Sequence, residues 1–117
     1  MFKISNKVRR LSDEEKLQYK NDGYITALPV FSEEAKHDLD NFFVSLSTSI
    51  DKKLDLNQTA QWHKASKKFY NLCSTPVILD YVEDLLGPNF FLWGGQFFLK
   101  EPKDGLVVPW HQDAQYW

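Results

Sequence analysis

The chain has 117 residues, 43% of them apolar and 26% charged, which suffices for one folded domain and rules out a disordered chain. Its net charge of −2 offers no basic surplus for nucleic acid or an acidic membrane surface, and its one cysteine excludes an internal disulfide and suits a reducing cytosol. No run of about 18 apolar residues is present to span a membrane, and Met1–Ser5 is not followed by the apolar stretch of a signal peptide.

In chain order, residues 1–10 are basic and aperiodic and read as a lead-in. Ser12-Asp13-Glu14-Glu15 is a capping box, because Ser12 can accept from the third helical N–H while Glu15 reaches back. A short helix carrying Leu17 and Tyr19 is predicted after it, with Gly23 as its stop. Tyr24–Leu28 is β-prone and Pro29 closes it. Ser32 is expected to cap a helix of about 18 residues, in which Ala35, Leu39, Phe42, Phe43, Leu46 and Ile50 recur at helical spacing on one core-facing stripe. His37 lies off that stripe and is expected in solvent.

Residues 51–68 are polar, lysine-rich and without a predicted element, apart from the cluster Trp62-His63-Lys64. Cys73 sits in a mixed apolar stretch and reads as a small core residue. Thr75-Pro76 is expected to open a helix ending at Gly87-Pro88, with Ile78, Leu79, Val82, Leu85 and Leu86 as its buried stripe. Asn89–Lys100 is aromatic and β-prone, and Gly94-Gly95 suggests a bend between two strand segments. Glu101–Gly105 is a predicted turn, and Leu106–Trp110 leads into the last segment. Helices first and strands last predict an α+β chain whose sheet lacks partners, hence the N-terminal portion of a single domain spanning 1–117 and continuing beyond it.

His111-Gln112-Asp113 carries the chemistry. On an extended strand, side chains at i and i+2 share a face, so the imidazole and the carboxylate would point the same way and a metal could bridge them. One His and one carboxylate are two thirds of a facial triad, which leaves positions on iron open for a cosubstrate and O₂. A His-x-Asp triplet alone is a weak signal in a chain with three His. Its aromatic frame, Trp110 before and Tyr116-Trp117 after, strengthens it.

Pro109–Trp117 resembles the iron-binding segment of the phytanoyl-CoA dioxygenase family. Asp22-Gly23-Tyr24-Ile25, Ile78–Pro88 and Phe97–Pro102 are similar to that family's opening strand, pre-barrel helix and pre-motif turn. The likeness covers 12–117 and is tightest over 75–117. It implies N-terminal helices buttressing an incomplete double-stranded β-helix, a jelly-roll or cupin-like fold. It also implies a non-haem Fe(II)/2-oxoglutarate-dependent dioxygenase, with a small organic or acyl substrate and O₂ as partners. His111 and Asp113 would be iron ligands. Gln96 falls where the family places a 2-oxoglutarate contact, the alternative being an exposed strand amide. Lys64 is the candidate for the family's upstream lysine, the alternative being a solvated side chain; His63 beside it reads as structural. Trp93, Trp110, Tyr116 and Trp117 are candidate pocket walls. The family's third ligand, a His, and the Arg that meets 2-oxoglutarate have no counterpart in these residues. Asp113 argues for hydroxylation, since related halogenases lack the carboxylate. A non-catalytic remnant or binding module of the same fold is the competing reading, and a cupin-like metalloenzyme without 2-oxoglutarate is a third.

Overall fold

A computed structural model describes residues 1–51, 56, 60–100, 102, 103, 105 and 107–115. Five α-helices are found among them. The first, α1 (Asp13–Asp22), begins at the expected capping box: the Ser12 hydroxyl accepts from the Glu15 N–H at 3.2 Å, and Glu15 Oε2 accepts from the Ser12 N–H at 2.8 Å. It stops at Gly23, which adopts the left-handed conformation (φ 81°) and donates its N–H to the Tyr19 carbonyl at 2.8 Å. No residue of α1 is buried. Charge and capping hold it instead, with Arg9 bidentate on Glu15 at 2.6 and 2.7 Å.

The lead-in is more ordered than its composition suggests. Phe2 is buried in the core, and Ile4 forms an isolated antiparallel bridge with Phe31 through Ser5 N–H to the Val30 carbonyl and Ser32 N–H to the Lys3 carbonyl, both 3.0 Å. The β-prone Tyr24–Leu28 is not a strand. Ala27 turns out of extended geometry (φ 61°), and that segment has no pairing partner among the described residues. Propensity without a partner leaves a loop.

Ser32 caps α2 (Glu33–Ser49), accepting from the Ala35 N–H at 3.3 Å. The expected stripe packs as expected: Ala35 and Phe42 are buried, and Leu39, Phe43, Leu46 and Ile50 lie against the same core. His37 is exposed. The stretch with no predicted element holds two short helices, α3 (Trp62–Ala65) and α4 (Lys67–Cys73), the latter capped by Ser66. Trp62 and Phe69 are their anchors, both buried, and Trp62 Nε1–H donates to the Leu56 carbonyl at 3.1 Å. Two deep aromatics among lysines give no periodic signal, so these helices have no signature in the sequence.

The last helix, α5 (Pro76–Leu86), starts with Pro at its first turn as expected, but Thr75 makes no side-chain cap. Its hydroxyl donates backward to the Leu72 carbonyl at 2.8 Å and so welds α4 to α5. The stripe expected to be buried is largely open. Leu79 and Leu86 are exposed, and Tyr81, which lies off that stripe, is the buried residue, its hydroxyl donating to the Pro29 carbonyl at 2.9 Å. Ile78, Leu79 and Val82 face Phe90, Phe91 and Leu92 across a groove of about 360 Å³ that no other described element fills.

Beyond α5 the chain runs from Asn89 to Lys100 without regular structure. One parallel bridge joins Gly95 to Gln61. Phe97 inserts among the helices, with ring centroids 5.0 Å from Phe69, 5.5 Å from Phe43 and 6.2 Å from Trp62. The helical half of the expected α+β chain is therefore present. The double-stranded β-helix is not seen among the described residues, where pairing is limited to the two isolated bridges. A strand exists only through its neighbour's hydrogen bonds, and Gly95 has them to Ala60 and Trp62. Of the predicted turn, Pro102 and Lys103 are a turn, while Glu101 and Asp104 lie outside the described residues. No described helix is long and apolar enough to cross a membrane.

Candidate metal centre

The segment 107–112 is irregular and exposed, and Asp113–Gln115 forms a single 3₁₀ turn. The His111 and Asp113 side chains converge, but not by the strand alternation expected of them. The turn beginning at Asp113 brings its carboxylate Oδ1 to 3.5 Å from His111 Nε2.

The other ring nitrogen decides what that approach means. His111 Nδ1 lies 2.8 Å from the Pro109 carbonyl oxygen. A carbonyl can only accept, so Nδ1 carries the proton, and in the neutral imidazole Nε2 presents its lone pair. A lone pair and a carboxylate oxygen facing each other at 3.5 Å are two acceptors, and a cation between them, proton or metal, makes the arrangement favourable. Cis donors each about 2.1 Å from one metal stand roughly 3 Å apart, so a small closure of the pair would seat an ion. The Nδ1–H to carbonyl bond is also the customary outer support of a metal-ligating His. The donor set and its orientation thus fit a metal ion.

The pair is open, with His111 half-exposed and Asp113 largely so. No group of three or more His, Cys, Asp or Glu side chains suited to a metal is found among the described residues. His37 and His63 therefore do not join it. His63 sits half-buried on α3, where its Nδ1 is buried without a hydrogen-bond partner among the described residues.

The remaining candidates are placed separately. Gln96 is half-buried on a cleft of about 500 Å³ walled by Phe91, Leu92, Trp93 and Phe98, with Gln61 at its rim. Lys64 is exposed on α3 and does not line that cleft. Trp93 is a wall of the cleft as expected, whereas Trp110 borders a shallow hollow with His111, Gln112 and Ala114. Tyr116 and Trp117 lie outside the described residues. Cys73 packs against the core as expected, and burial pushes its thiol above the ordinary range. Gln61 was missed as a cleft residue; its only signal was its place beside a buried Trp.

The chain matches no curated protein and no solved structure. The family model described as Phytanoyl-CoA dioxygenase (PhyH) matches residues 11–117, nearly the whole chain and both members of the His111–Asp113 pair. The chain belongs to the phytanoyl-CoA dioxygenase family, a family of oxygenases.

Proposed function

We propose that this chain is part of a non-haem Fe(II)/2-oxoglutarate-dependent dioxygenase that hydroxylates an unactivated C–H bond of a small organic or acyl substrate. One observation carries the reading: His111 Nε2 stands 3.5 Å from Asp113 Oδ1 while its Nδ1 lies 2.8 Å from the Pro109 carbonyl oxygen, inside a chain of this family. The overall balance is substrate R–H, O₂ and 2-oxoglutarate going to R–OH, succinate and CO₂. Iron, when bound, supplies the oxygen and electron-transfer chemistry.

The chain's own residues have simpler tasks. Pro109 holds the His111 ring in the tautomer that offers Nε2. Asp113 supplies an anionic donor and offsets part of the cation's charge, and a carboxylate there supports hydroxylation over halogen transfer. Gln96 is the proposed amide contact to 2-oxoglutarate, on a cleft lined by Phe91, Trp93 and Phe98. Lys64 is the proposed cation near that cosubstrate. Two protein donors leave the facial triad one short. The third His, and the Arg that pairs with the far carboxylate, are proposed to come from polypeptide outside these 117 residues.

The test is succinate formation by the intact enzyme, expected to require Fe(II), O₂ and 2-oxoglutarate together. Asp113→Ala should abolish it while circular dichroism stays unchanged. Undiminished turnover in that variant would refute the ligand assignment. Absence of 2-oxoglutarate consumption in the wild type across candidate substrates would favour a binding module of the same fold.

A further inference from the structure

Gly95 has no room for a side chain. A Cβ there would stand 2.6 Å from Phe69 Cε1 and 3.4 Å from Cys73 Sγ, both on α4. The Phe69 ring cannot simply swing away, because it is buried and packed against Phe97 at 5.0 Å between centroids. The backbone of Gly95 is held as well: its N–H donates to the Ala60 carbonyl at 3.2 Å and its own carbonyl accepts the Trp62 N–H at 3.0 Å. The glycine is thus clamped on one side by hydrogen bonds and on the other by an aryl edge.

The clamp has a consequence for the next residue. In extended chain, alternate side chains leave on opposite sides. Gly95 meets Phe69, and Phe97 enters the helical core between Phe43, Trp62 and Phe69. Gln96, between them, lies on the cleft with Phe91, Trp93 and Phe98. A slip of one residue would send Gln96 into the aromatic core and Phe97 into the cleft.

We propose that Gly95 is a positioning residue: its close seat on Phe69 sets the register that presents Gln96 to the cosubstrate. This rests on the reading of Gln96 as a 2-oxoglutarate contact. A methyl group at position 95 lifts the segment off α4 and withdraws Gln96 from its ligand, while the His111–Asp113 pair, more than a dozen residues on, is left in place.

Four variants of the intact enzyme test it: Gly95→Ala, Phe69→Leu, the double variant, and Gln96→Ala. Gly95→Ala is expected to raise KM for 2-oxoglutarate by about tenfold, the effect of losing one hydrogen bond to a charged group, with kcat within about threefold of wild type. Phe69→Leu, which removes the aryl edge, should restore KM in the double variant. Gln96→Ala should match Gly95→Ala in KM. The second readout needs no cosubstrate: amide exchange at Trp62, whose N–H donates to the residue-95 carbonyl, should quicken in Gly95→Ala and slow again in the double variant.

An unchanged KM in Gly95→Ala, or a double variant that stays impaired in both readouts, overturns the proposal. Normal KM in Gln96→Ala overturns it together with the role of Gln96. If the enzyme consumes no 2-oxoglutarate at all, the functional reading fails, and the exchange pattern still decides whether Phe69 sets the register.

Discussion

Arg10 grips Asp84 across 74 residues of sequence: its Nε donates to Oδ1 at 2.9 Å, and the neighbouring Leu11 N–H donates to Oδ2 at 2.9 Å. The same guanidinium reaches Asp80 and Glu83, so the segment before α1 is pinned along one side of α5. The Asp84 side chain is only 7% exposed, unlike most surface ion pairs, and Lys16 of α1 approaches it at 3.9 Å.

Acid should undo this join. The Leu11 N–H, with Arg10 and Lys16, holds the Asp84 carboxyl below its ordinary range, and Arg9 together with the Ser12 N–H holds Glu15 at about 2. Groups lowered on folding stabilise fully above their unfolded pKa, about 4, and lose that contribution as pH falls through the folded value. Thermal midpoints should therefore decline steadily from about pH 4 toward pH 2. Asp84→Asn should lower the midpoint at neutral pH and flatten the acid decline, which a pH series of circular dichroism melts would read. An acid profile identical to wild type would contradict the clamp.

The α1 caps should matter more than is usual, since that helix buries nothing. Ser12→Ala should cost about 1 kcal/mol. Gly23→Ala should cost a similar amount for a different reason: the site is sterically open, so the penalty is purely that of an L-residue at φ 81°. Denaturant titration of both variants would measure it, with Gly23→Asn nearer wild type than Gly23→Ala because Asn tolerates that conformation.

Phe42→Ala should cost about 3 kcal/mol, the usual cost of emptying a buried aromatic site. Phe42 touches Phe2 at 6.1 Å between centroids, and the Lys68 ammonium lies 5.0 Å from its ring centre. The Phe2 end of the chain should then loosen too, giving faster amide exchange at Ser5 and Ser32, whose N–H groups make the Ile4–Phe31 bridge.

Chelation should remove activity from the intact enzyme and Fe(II) should restore it, because the proposed ligands bind metal only as lone-pair donors. His111→Ala should lower Fe(II) affinity at least about tenfold. His37→Ala should not, since His37 is exposed on α2 and joins no metal-suited group among the described residues.

Helix boundaries were legible where a cap specifies them locally. Ser12, Gly23 and Ser32 behave as their types require, within a few residues of chain. What could not be read depends on distant partners. α3 and α4 exist because Trp62 and Phe69 have Phe97, some thirty residues later, to pack against. Tyr81 outranks the apolar stripe of α5 because its hydroxyl finds the Pro29 carbonyl. Among the described residues the β-prone segments form no strand beyond the single Gly95–Gln61 bridge, which no propensity reports. At the site, the residue types of His111 and Asp113 were legible, and their mutual approach was expected. The means of that approach, a 3₁₀ turn and a carbonyl two residues back, was not.

The seclusion of Trp62 has an optical consequence. It is 4% exposed with its indole N–H occupied, whereas Trp93 is 69% exposed and Trp110 stands fully in solvent. Emission from Trp62 will lie to the blue and resist iodide, and that of Trp93 and Trp110 will lie to the red and be quenched. With Trp117 replaced by Phe, excitation at the indole band therefore yields two separable signals, one from the aromatic core and one from the open side of the molecule. Trp110 is covalently next to His111, so an ion arriving there darkens the red component and leaves the blue one as an internal standard.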